Sequence, residues 1–401
     1  NNTNVSLDKL TKDTVADALM DADDVAAKVL MIRKKLAKSS VSKYTMTDSA
    51  MGSDIRLRGT LQFYGANRTG RWAGRLIQVQ NLPRNYIENL DTARHLIKTK
   101  NRQGLELLYG DVSDTLSQLI RTSIIAEEGN TLCVADFSAI EARVIAWLSG
   151  EHWRQRVFAE GGDIYCASAS SMFGVPVVKH GHLRQKGKVA ELALGYQGGV
   201  NALKTMGALD MGLHEEELPE IVNLWRNASP RIRDLWYAVE NAAVYTVTTG
   251  NPIGLDHGIM FRLEIDPIYG YRYMTIELPS GRKLFYPSPS IKQNAFGKDA
   301  VHFKTKVKAA WATEGTYGGK LVENITQAVA RDCLALTLRR LADVGYQIIM
   351  HIHDEAVLEV NKENAESTLD DVNAIFSIDI SWADGLLLSS AGFTNDYYMK
   401  D

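Results

Sequence analysis

Two aspartates lie where apolar, strand-like segments end, and carboxylates in such positions can bind metal ions. Asp136 closes the segment TLCVAD, while Asp354 follows IIMHIH and directly precedes Glu355. The two aspartates are 218 residues apart, so only folding can bring them together. As neighbours they could hold two Mg²⁺ ions about 4 Å apart and catalyse phosphoryl transfer. Each also has a structural explanation: an acid at a helix N-terminus for Asp136 and an ordinary turn residue for Asp354.

A second segment, LRQKGKVAELALGYQGG (183–199), has helical periodicity and an unusual distribution of charge. Arg184, Lys188, Leu192 and Tyr196 recur every four residues, so they follow one face of a helix that we expect to end at the Gly-Gly pair. Cations crowd its N-terminal half, where the helix dipole disfavours positive charge. A triphosphate would compensate them, whereas a solvated basic face is the alternative.

The surrounding pattern alternates between strand-like and helical segments. Residues 152–245 are almost wholly helical in pattern, and residues 250–290 contain short β-like runs with a hairpin signal at PSGRK. We further predict a helix over residues 7–38, a strand over residues 56–64 and a long helix over residues 318–342. This order predicts an α+β protein in which a helical insertion interrupts a sheet-bearing domain.

The composition and net charge of the chain limit the classes of protein to which it can belong. The 401 residues are 45% hydrophobic and carry a formal net charge of −3, which suits two or three folded domains and does not single out a nucleic-acid binder. A local basic groove remains compatible with this charge. No apolar window is long enough to span a membrane, no secretory signal is visible, and three isolated cysteines fit a reducing compartment. We therefore expect a cytoplasmic protein without membrane contact.

Five segments resemble, in order and spacing, the motifs of the family A, or polymerase I-like, DNA polymerases. Motifs A, B and C are similar to DFSAIEARV (136–144), RQKGKVAELALGYQGG (184–199) and HDE (353–355). The segments that precede motifs A and C in the family are similar to TGRWAGRLIQVQNLP (69–83) and KLVENITQAVARD (320–332). The amino-acid sequences of several segments, and the ending YYMKD, most resemble those of bacteriophage or prophage members.

The resemblance implies a right-hand polymerase fold with an antiparallel-sheet palm, helical fingers and a partial helical thumb. It assigns residues 1–50 to thumb helices and residues 51–151 to the first part of the palm. Residues 152–317 would form the fingers with a β-containing embellishment, and residues 318–401 the second part of the palm. Because only about 50 residues precede the palm, we expect no proofreading exonuclease domain in this chain.

The resemblance also implies roles for individual residues. The catalytic residues would be Asp136, Asp354, Glu355 and Lys188. Two Mg²⁺ ions would be bound by Asp136, Asp354 and the carbonyl of Phe137. The incoming dNTP would be bound by Arg184, Lys188, Leu192, Tyr196 and Glu141, with Glu141 crowding a ribose 2′-OH. Independently of the resemblance, Ser138 and Glu141 have the spacing of a helix capping box.

Seven residues would contact DNA: Arg71, Gln80, Asn81, Asn324, Gln327, Arg331 and His353. Among them, Asn324, Gln327 and Arg331 have helical spacing on an otherwise apolar helix. Their donors could check base-pair shape, because the minor groove presents acceptors at nearly the same places in every pair. A solvent-facing polar stripe is the alternative.

The implied activity is template-directed addition of dNTPs to a primer 3′-OH with release of pyrophosphate. The implied partners are primer–template DNA and dNTPs, with a monomeric enzyme and, as a further expectation, a processivity factor. Three alternatives stay open: a reverse transcriptase of the same fold, a two-metal nuclease and a non-catalytic DNA-binding subunit. The basic segment 184–199 argues against a nuclease, which needs the carboxylates but no triphosphate-binding residues.

Overall fold

The computed structural model describes residues 12–36, 41–307 and 310–400. The first described elements are three short helices, α1 (Lys12–Met20), α2 (Asp24–Leu36) and α3 (Ser42–Ala50). The predicted helix over residues 7–38 is therefore two helices within its described part. A two-stranded ribbon follows, formed by β1 (Leu61–Gln62) and β2 (Ala73–Gly74). The predicted strand over residues 56–64 is wrong for all but these two residues of β1.

Three helices lead into the central sheet: α4 (Leu90–Lys98), α5 (Arg102–Tyr109) and α6 (Val112–Leu119). The first central strand is β3 (Asn130–Phe137), and α7 (Ile140–Ser149) follows it. Ala139, with φ of +53°, is the residue that precedes the helix, and no side chain caps it. The predicted capping box of Ser138 and Glu141 is therefore wrong, because the helix starts one residue later than that motif requires.

The region predicted to be almost wholly helical, residues 152–245, contains helices joined by connecting segments, and the last helix continues to Thr249. The helices are α8 (His152–Ala159), α9 (Ile164–Phe173), α10 (His182–Leu194), α11 (Val200–Thr205), α12 (Leu218–Ala228) and α13 (Pro230–Thr249). Helices α9 and α10 pack very closely, because a Cβ atom at Gly187 would lie 2.2 Å from the carbonyl oxygen of Tyr165. The rings of Trp225 and Trp236 stack at 6.1 Å and join α12 to α13.

Two small antiparallel sheets follow, and we call them together the β-unit. The first contains β4 (Ile253–Gly254), β5 (Met260–Ile265), β6 (Arg272–Glu277) and β7 (Lys283–Pro287) in that order. The second contains β8 (Ser290–Gln293), β9 (Asp299–Val307) and β10 (Ala310–Gly315), with β9 in the middle. Both sheets pack against α13. The hairpin predicted at PSGRK is confirmed as the β6–β7 connection.

The chain then returns to the central sheet. The 27-residue α14 (Gly318–Val344) precedes β11 (Ile348–Ile352), β12 (Glu355–Asn361), α15 (Ala365–Phe376) and β13 (Ser390–Asn395). The sheet is antiparallel with the order β11-β12-β3-β13. The fold is thus α+β, with a helical segment between the two parts of the sheet, as predicted.

Strand β3 is buried on both faces, and its alternate residues enter two different cores. Cys133 and Ala135 face a large core that includes residues of α7, α14 and α15. Leu132 and Val134 face a smaller core that Tyr398 also enters. This two-sided burial explains the nearly continuous apolar run of the strand. None of the described helices combines the length and apolar character that crossing a membrane requires.

Candidate active site

The register of the central sheet brings the predicted acidic residues together. Asp136 in β3 lies directly opposite Glu355 in β12, and the backbone N–H of Phe137 donates to the carbonyl of Asp354 at 3.2 Å. Ile352 pairs with Glu355, so only His353 and Asp354 form the turn between β11 and β12. His353 has φ of +54°, which a two-residue hairpin turn requires. Residues separated by more than two hundred positions thus converge at one end of the sheet.

Burial opposes ionisation of these carboxyl groups. It raises the pKa of Asp136 to about 7, and the charge of Asp354 adds to this shift. Burial likewise raises the pKa values of Asp354 and Glu355. One oxygen of Asp136, Oδ1, is buried without a hydrogen-bond partner among the described residues. An orphaned carboxylate oxygen beside two further carboxyl groups is an arrangement that a divalent cation fits.

Two residues near the C-terminus also lie at this site. The Nζ atom of Lys400 is 3.5 Å from Asp136 Oδ2 and 3.5 Å from Glu355 Oε2. The hydroxyl of Tyr398 donates to Glu355 Oε1 at 2.8 Å. Sequence reasoning missed both residues, although YYMKD was noticed as a family-like ending. Nothing in the local pattern of that ending indicates that it returns to the carboxylates.

The described part of the chain contains no group of three or more His, Cys, Asp or Glu side chains arranged to hold a metal ion. The oxygen atoms at this strand end that could hold a metal ion are those of Asp136 and Asp354, together with the backbone carbonyl of Phe137. Hard oxygen donors of this kind suit Mg²⁺, which keeps several water ligands of its own.

Helix α10 carries the cations that were expected to bind an anion. Arg184 donates from Nε (2.9 Å) and Nη2 (2.7 Å) to Asp163 Oδ2, and Lys186 Nζ is 2.5 Å from Glu217 Oε1. Protein carboxylates therefore already compensate two of these cations. Lys188, by contrast, is half-buried and forms no hydrogen bond or ion pair with the described residues. The need for an external anion is thus clearest at Lys188.

The helix also ends earlier than predicted. Its last residue is Leu194, so Tyr196 lies beyond the helix and does not continue the face of Arg184 and Lys188. Leu192 is 46% exposed on α10. Gly181 precedes the helix without a side-chain cap, and no acidic residue lies in the first turn. The N-terminal N–H groups therefore keep their capacity to bind an anion.

Glu141 is held by two segments that are distant in sequence. Arg71 Nη2 donates to Glu141 Oε1 at 2.7 Å, and the hydroxyl of Tyr196 donates to Glu141 Oε2 at 2.8 Å. Burial and the charge of Glu141 raise the pKa of the Tyr196 hydroxyl well above its usual value. Both carboxylate oxygens are thus occupied by donors, which fixes the side chain more firmly than a capping interaction would.

On α14, two of the three predicted groove-reading residues pack against the protein. Asn324 is 4% exposed and donates to the hydroxyl of Tyr286 at 2.9 Å. Arg331 is 8% exposed, donates to the carbonyl of Gly70 at 3.0 Å and lies 4.3 Å from the Trp72 ring. The alternative of a solvent-facing polar stripe is therefore wrong for these two. Gln327 is half-buried.

The remaining predicted DNA contacts lie on the segment after β2 and on the hairpin turn. Gln80 is half-buried, and its Oε1 atom has no hydrogen-bond partner among the described residues. Asn81 is exposed and donates to Gln78 Oε1 at 3.3 Å. His353 is exposed at the tip of the turn. These positions leave polar atoms available for a ligand.

Comparisons with known proteins identify the family to which the chain belongs. The sequence profile of DNA polymerase family A matches residues 2–249, so the chain belongs to DNA polymerase family A. It is 53% identical over 403 aligned positions to the DNA polymerase of Bacillus phage SP02, covering 99% of this chain and 61% of that protein. It is 26% identical over 362 positions to the thermostable DNA polymerase I of Thermus aquaticus, covering 89% of this chain and 34% of that enzyme.

The fold is also similar to that of a solved polymerase. The structure matches the POL domain of Pol1 from M. smegmatis, which was solved with DNA primer-template and dNTP, with a TM-score of 0.63 and 17% identity. The match covers 96% of this chain and 56% of that one. The expected right-hand polymerase fold is thereby confirmed. The chain spans about three fifths of the length of its phage relative.

Proposed function

We propose that this chain is a template-directed DNA polymerase that adds dNTPs to a primer 3′-OH and releases pyrophosphate. The observation that carries the proposal is the convergence of Asp136, Asp354 and Glu355 at one sheet end, with a buried and unpartnered oxygen on Asp136. Membership of DNA polymerase family A supports it. The reaction would proceed in the palm, beside the helix that carries Lys188, which has no ion-pair partner in the described part of the chain.

Asp136, Asp354 and the carbonyl of Phe137 would hold two Mg²⁺ ions. When bound, these ions would activate the primer hydroxyl as a nucleophile and stabilise the charge of the leaving pyrophosphate. Tyr398 holds Glu355 in place by its hydrogen bond, and Lys400 neutralises part of the carboxylate charge. Glu355 would assist the site without being a required ligand.

Helix α10 would bind the triphosphate. Lys188 would donate a proton to pyrophosphate from an ammonium group that no described residue pairs with. Arg184 would turn from Asp163 towards the phosphates or contact both. Leu192 would lie at the 3′ side of the sugar and Tyr196 beside the nascent base pair. Glu141, held by Arg71 and Tyr196, would exclude a ribose 2′-OH. Because hydrogen bonds hold the Glu141 side chain from two sides, displacing it to make room for a 2′-OH would cost free energy. This cost would favour deoxynucleotides over ribonucleotides.

The duplex would lie along α14 and the segment after β2. Its contacts would be Arg71, Gln80, Asn81, Asn324, Gln327, Arg331 and His353. Arg331 would act partly by holding the Gly70 carbonyl, which positions the neighbouring Arg71. We assign residues 1–50 to the thumb, 51–151 and 318–401 to the palm, and 152–317 to the fingers with the β-unit. The enzyme would act as a monomer, with a processivity factor, in the cytoplasm of a bacterial host.

Extension of a labelled primer on a DNA template, with Mg²⁺ and dNTPs, tests the proposal. Template-directed extension is expected for the unaltered chain and should disappear in Asp354→Asn, which keeps the side-chain shape but loses the charge. Asp370→Asn is the matched control, because Asp370 is an exposed aspartate on α15 that is not among the residues assigned to the site. A primer with a mismatched 3′ end should not be shortened by this chain. Binding of DNA without extension would contradict the proposal.

A further inference from the structure

The β-unit contains a cleft of about 470 Å³ that the proposed polymerase site does not use. We call it the aromatic cleft, and it lies between the ends of β6 and β7 and the β9–β10 hairpin. Its walls include Tyr271, Tyr273 and Trp311 together with the cations Arg272 and Lys304, and none of the described residues that line it is acidic. Trp311 is 68% exposed and Tyr271 is 58% exposed. Large aromatic side chains left in contact with water commonly mark a binding surface.

The register of the hairpin explains why aromatic and cationic side chains share this surface. Trp311 pairs with Lys306, and Thr313 pairs with Lys304. Paired residues of an antiparallel ladder point to the same face, and so do residues two positions apart. Lys304, Lys306 and Trp311 therefore lie together on one face. Within the described residues, the Trp311 ring contacts no other ring and its indole N–H has no acceptor.

The acidic side chains on the strands around the cleft do not neutralise its cations. Glu314 in β10 pairs with Phe303 and therefore points to the face opposite Lys304, while Glu264 and Asp266 already have partners. Glu264 in β5 accepts from Lys283 at 2.6 Å and from Thr275 at 3.0 Å. Asp266 accepts backbone N–H groups of the turn that follows β5, at 3.0 and 2.6 Å. The cations at the cleft are thus not neutralised by these carboxylates, so the local field favours an anionic ligand.

We propose that the aromatic cleft binds a single-stranded stretch of nucleic acid. Exposed aromatic rings offer stacking surfaces to unpaired bases, and the adjacent cations pair with the phosphates between them. A duplex keeps its bases stacked on one another, so it cannot use the rings in this way. An apolar protein segment would cover the rings but would leave Arg272 and Lys304 without anionic partners.

The cleft is joined to the helix that would hold the primer–template duplex. Tyr286 in β7 accepts a hydrogen bond from Asn324 of α14, and its ring lies 5.0 Å from that of Phe303 in β9. Lys304 follows Phe303 and points to the opposite face of β9. A strand that leaves the duplex can thus reach the cleft across one layer of β-structure. Identification of this strand as the unpaired part of a primer–template rests on the proposed function, whereas the binding itself does not.

Fluorescence anisotropy with a labelled oligothymidylate and the full chain, in EDTA, measures this binding without catalysis. Trp311→Ala should weaken binding roughly 5- to 150-fold, which is the range for loss of one stacked base. Trp311→Phe should retain most of the affinity. Phe296→Ala is the matched control, because Phe296 is 86% exposed in the same β-unit but does not line the cleft. It should change affinity less than 2-fold, by roughly the scatter of surface substitutions.

A second variant tests the electrostatic part of the proposal. Lys304→Ala should reduce the slope of log affinity against log salt concentration by about 0.7, since one phosphate contact on a single strand is lost. Lys298→Ala, at an exposed lysine outside the cleft, should leave the slope unchanged. An unchanged affinity in Trp311→Ala together with an unchanged slope in Lys304→Ala would overturn the proposal.

Two further comparisons separate the proposal from its alternatives. A blunt hairpin duplex should bind equally to the unaltered chain and to Trp311→Ala, and an equal loss on both DNA forms would refute a single-strand site. A free mononucleotide should not displace oligothymidylate at concentrations where an unlabelled oligonucleotide does; equal displacement would instead assign the cleft to nucleotides. If the chain extends no primer but Trp311→Ala still weakens oligothymidylate binding, the polymerase proposal fails and the cleft proposal stands.

Discussion

Replacement of Arg154 by methionine is expected to destabilise the helical region that carries α10. Arg154 and Glu191 form a buried ion pair, with side chains 1% and 7% exposed. Arg154 Nη1 is 2.5 Å from Glu191 Oε2, and Nη2 donates to Glu191 Oε1 at 2.8 Å. Trp225 and Ser229 complete the network, each with a hydrogen bond of 2.8 Å. Methionine would fill much of the space and leave Glu191 charged without a cation.

The magnitude follows from this geometry. Loss of one partner of a buried ion pair costs about 3–5 kcal/mol, because the remaining charge keeps its desolvation penalty. We expect this loss for Arg154→Met. Removal of both charges, in Arg154→Met combined with Glu191→Leu, should cost less than the single change, since only neutral donors remain unpaired. The stability losses of the two single variants should therefore add up to about 2 kcal/mol or more above the loss of the double variant, and this difference is their coupling free energy.

Native-state hydrogen exchange of α8, α10 and α12 measures the local opening free energy, which suits a chain whose parts need not unfold in one step. The control is Arg102→Met, which removes a surface ion pair whose partners are 80% and 48% exposed and should change the opening free energy of α5 by less than about 0.5 kcal/mol. A loss of less than about 1 kcal/mol of local opening free energy in Arg154→Met would contradict a strong buried ion pair. So would a double variant whose loss equals the sum of the two single losses. Because α10 carries Arg184 and Lys188, the same variant should also raise the KM for dNTPs.

Three further outcomes follow from the site. In EDTA, Asp136→Asn should raise the free energy of unfolding at about pH 8. Ionisation of a carboxyl with a pKa of about 7 in the folded state destabilises that state as pH rises from about 4 to 7. The difference between 7 and 3.8 corresponds to at most about 4 kcal/mol, and solvent screening of a side chain 38% exposed reduces this to about 1–2 kcal/mol. Tyr196→Phe removes a 2.8 Å hydrogen bond to Glu141 and should lower discrimination between dNTPs and rNTPs about 10-fold, as measured by kcat/KM. Lys400→Met removes a cation 3.5 Å from two carboxylates and should tighten Mn²⁺ binding about 5-fold or more in calorimetry.

Each of these outcomes has a result that contradicts it. The gain in Asp136→Asn should disappear at about pH 3, below the pKa of Asp136 in both the folded and the unfolded state; a gain that persists there would have another cause. Burial lowers the pKa of His351 to about 4, which makes the free energy of unfolding rise with pH in both proteins. The difference in the free energy of unfolding between Asp136→Asn and the unaltered chain removes this contribution. Unchanged sugar discrimination in Tyr196→Phe would show that Arg71 alone fixes Glu141. Weaker Mn²⁺ binding in Lys400→Met would show that the ammonium organises the carboxylates.

Elements with a strong local pattern were predictable. The apolar run TLCVAD predicted a buried strand, and IIMHIHDEAVLEV predicted two strands with a turn at the polar residues between them; β3, β11 and β12 confirm both predictions. The long helix α14 and the β6–β7 hairpin were confirmed for the same reason. The capping box was wrong because Ala139 adopts a left-handed conformation that delays the helix by one residue. The Ser-x-x-Glu spacing is present in the sequence, but it does not determine the backbone conformation of Ala139, and that conformation decides whether Ser138 caps the helix.

The charge partners of the site were not predictable. Asp163 and Glu217 are 21 and 31 residues away from the cations of α10 that they compensate. Lys400 is 264 residues away from Asp136 in the sequence. Helical periodicity describes one face of a single element, whereas these pairs depend on how separate elements pack. The same limit applies to Glu141, whose two donors come from two other segments.

By itself, the sequence determined the types and order of the functional residues. Two aspartates at strand ends, a basic helix and the ordered motifs were enough to indicate phosphoryl transfer and DNA polymerase family A. The tertiary structure decided how the charges are compensated, which polar side chains are held internally, and where an unused aromatic cleft lies. The physical reason is that local pattern depends on neighbours along the chain. Ion pairs, sheet register and clefts depend instead on residues that only packing brings together.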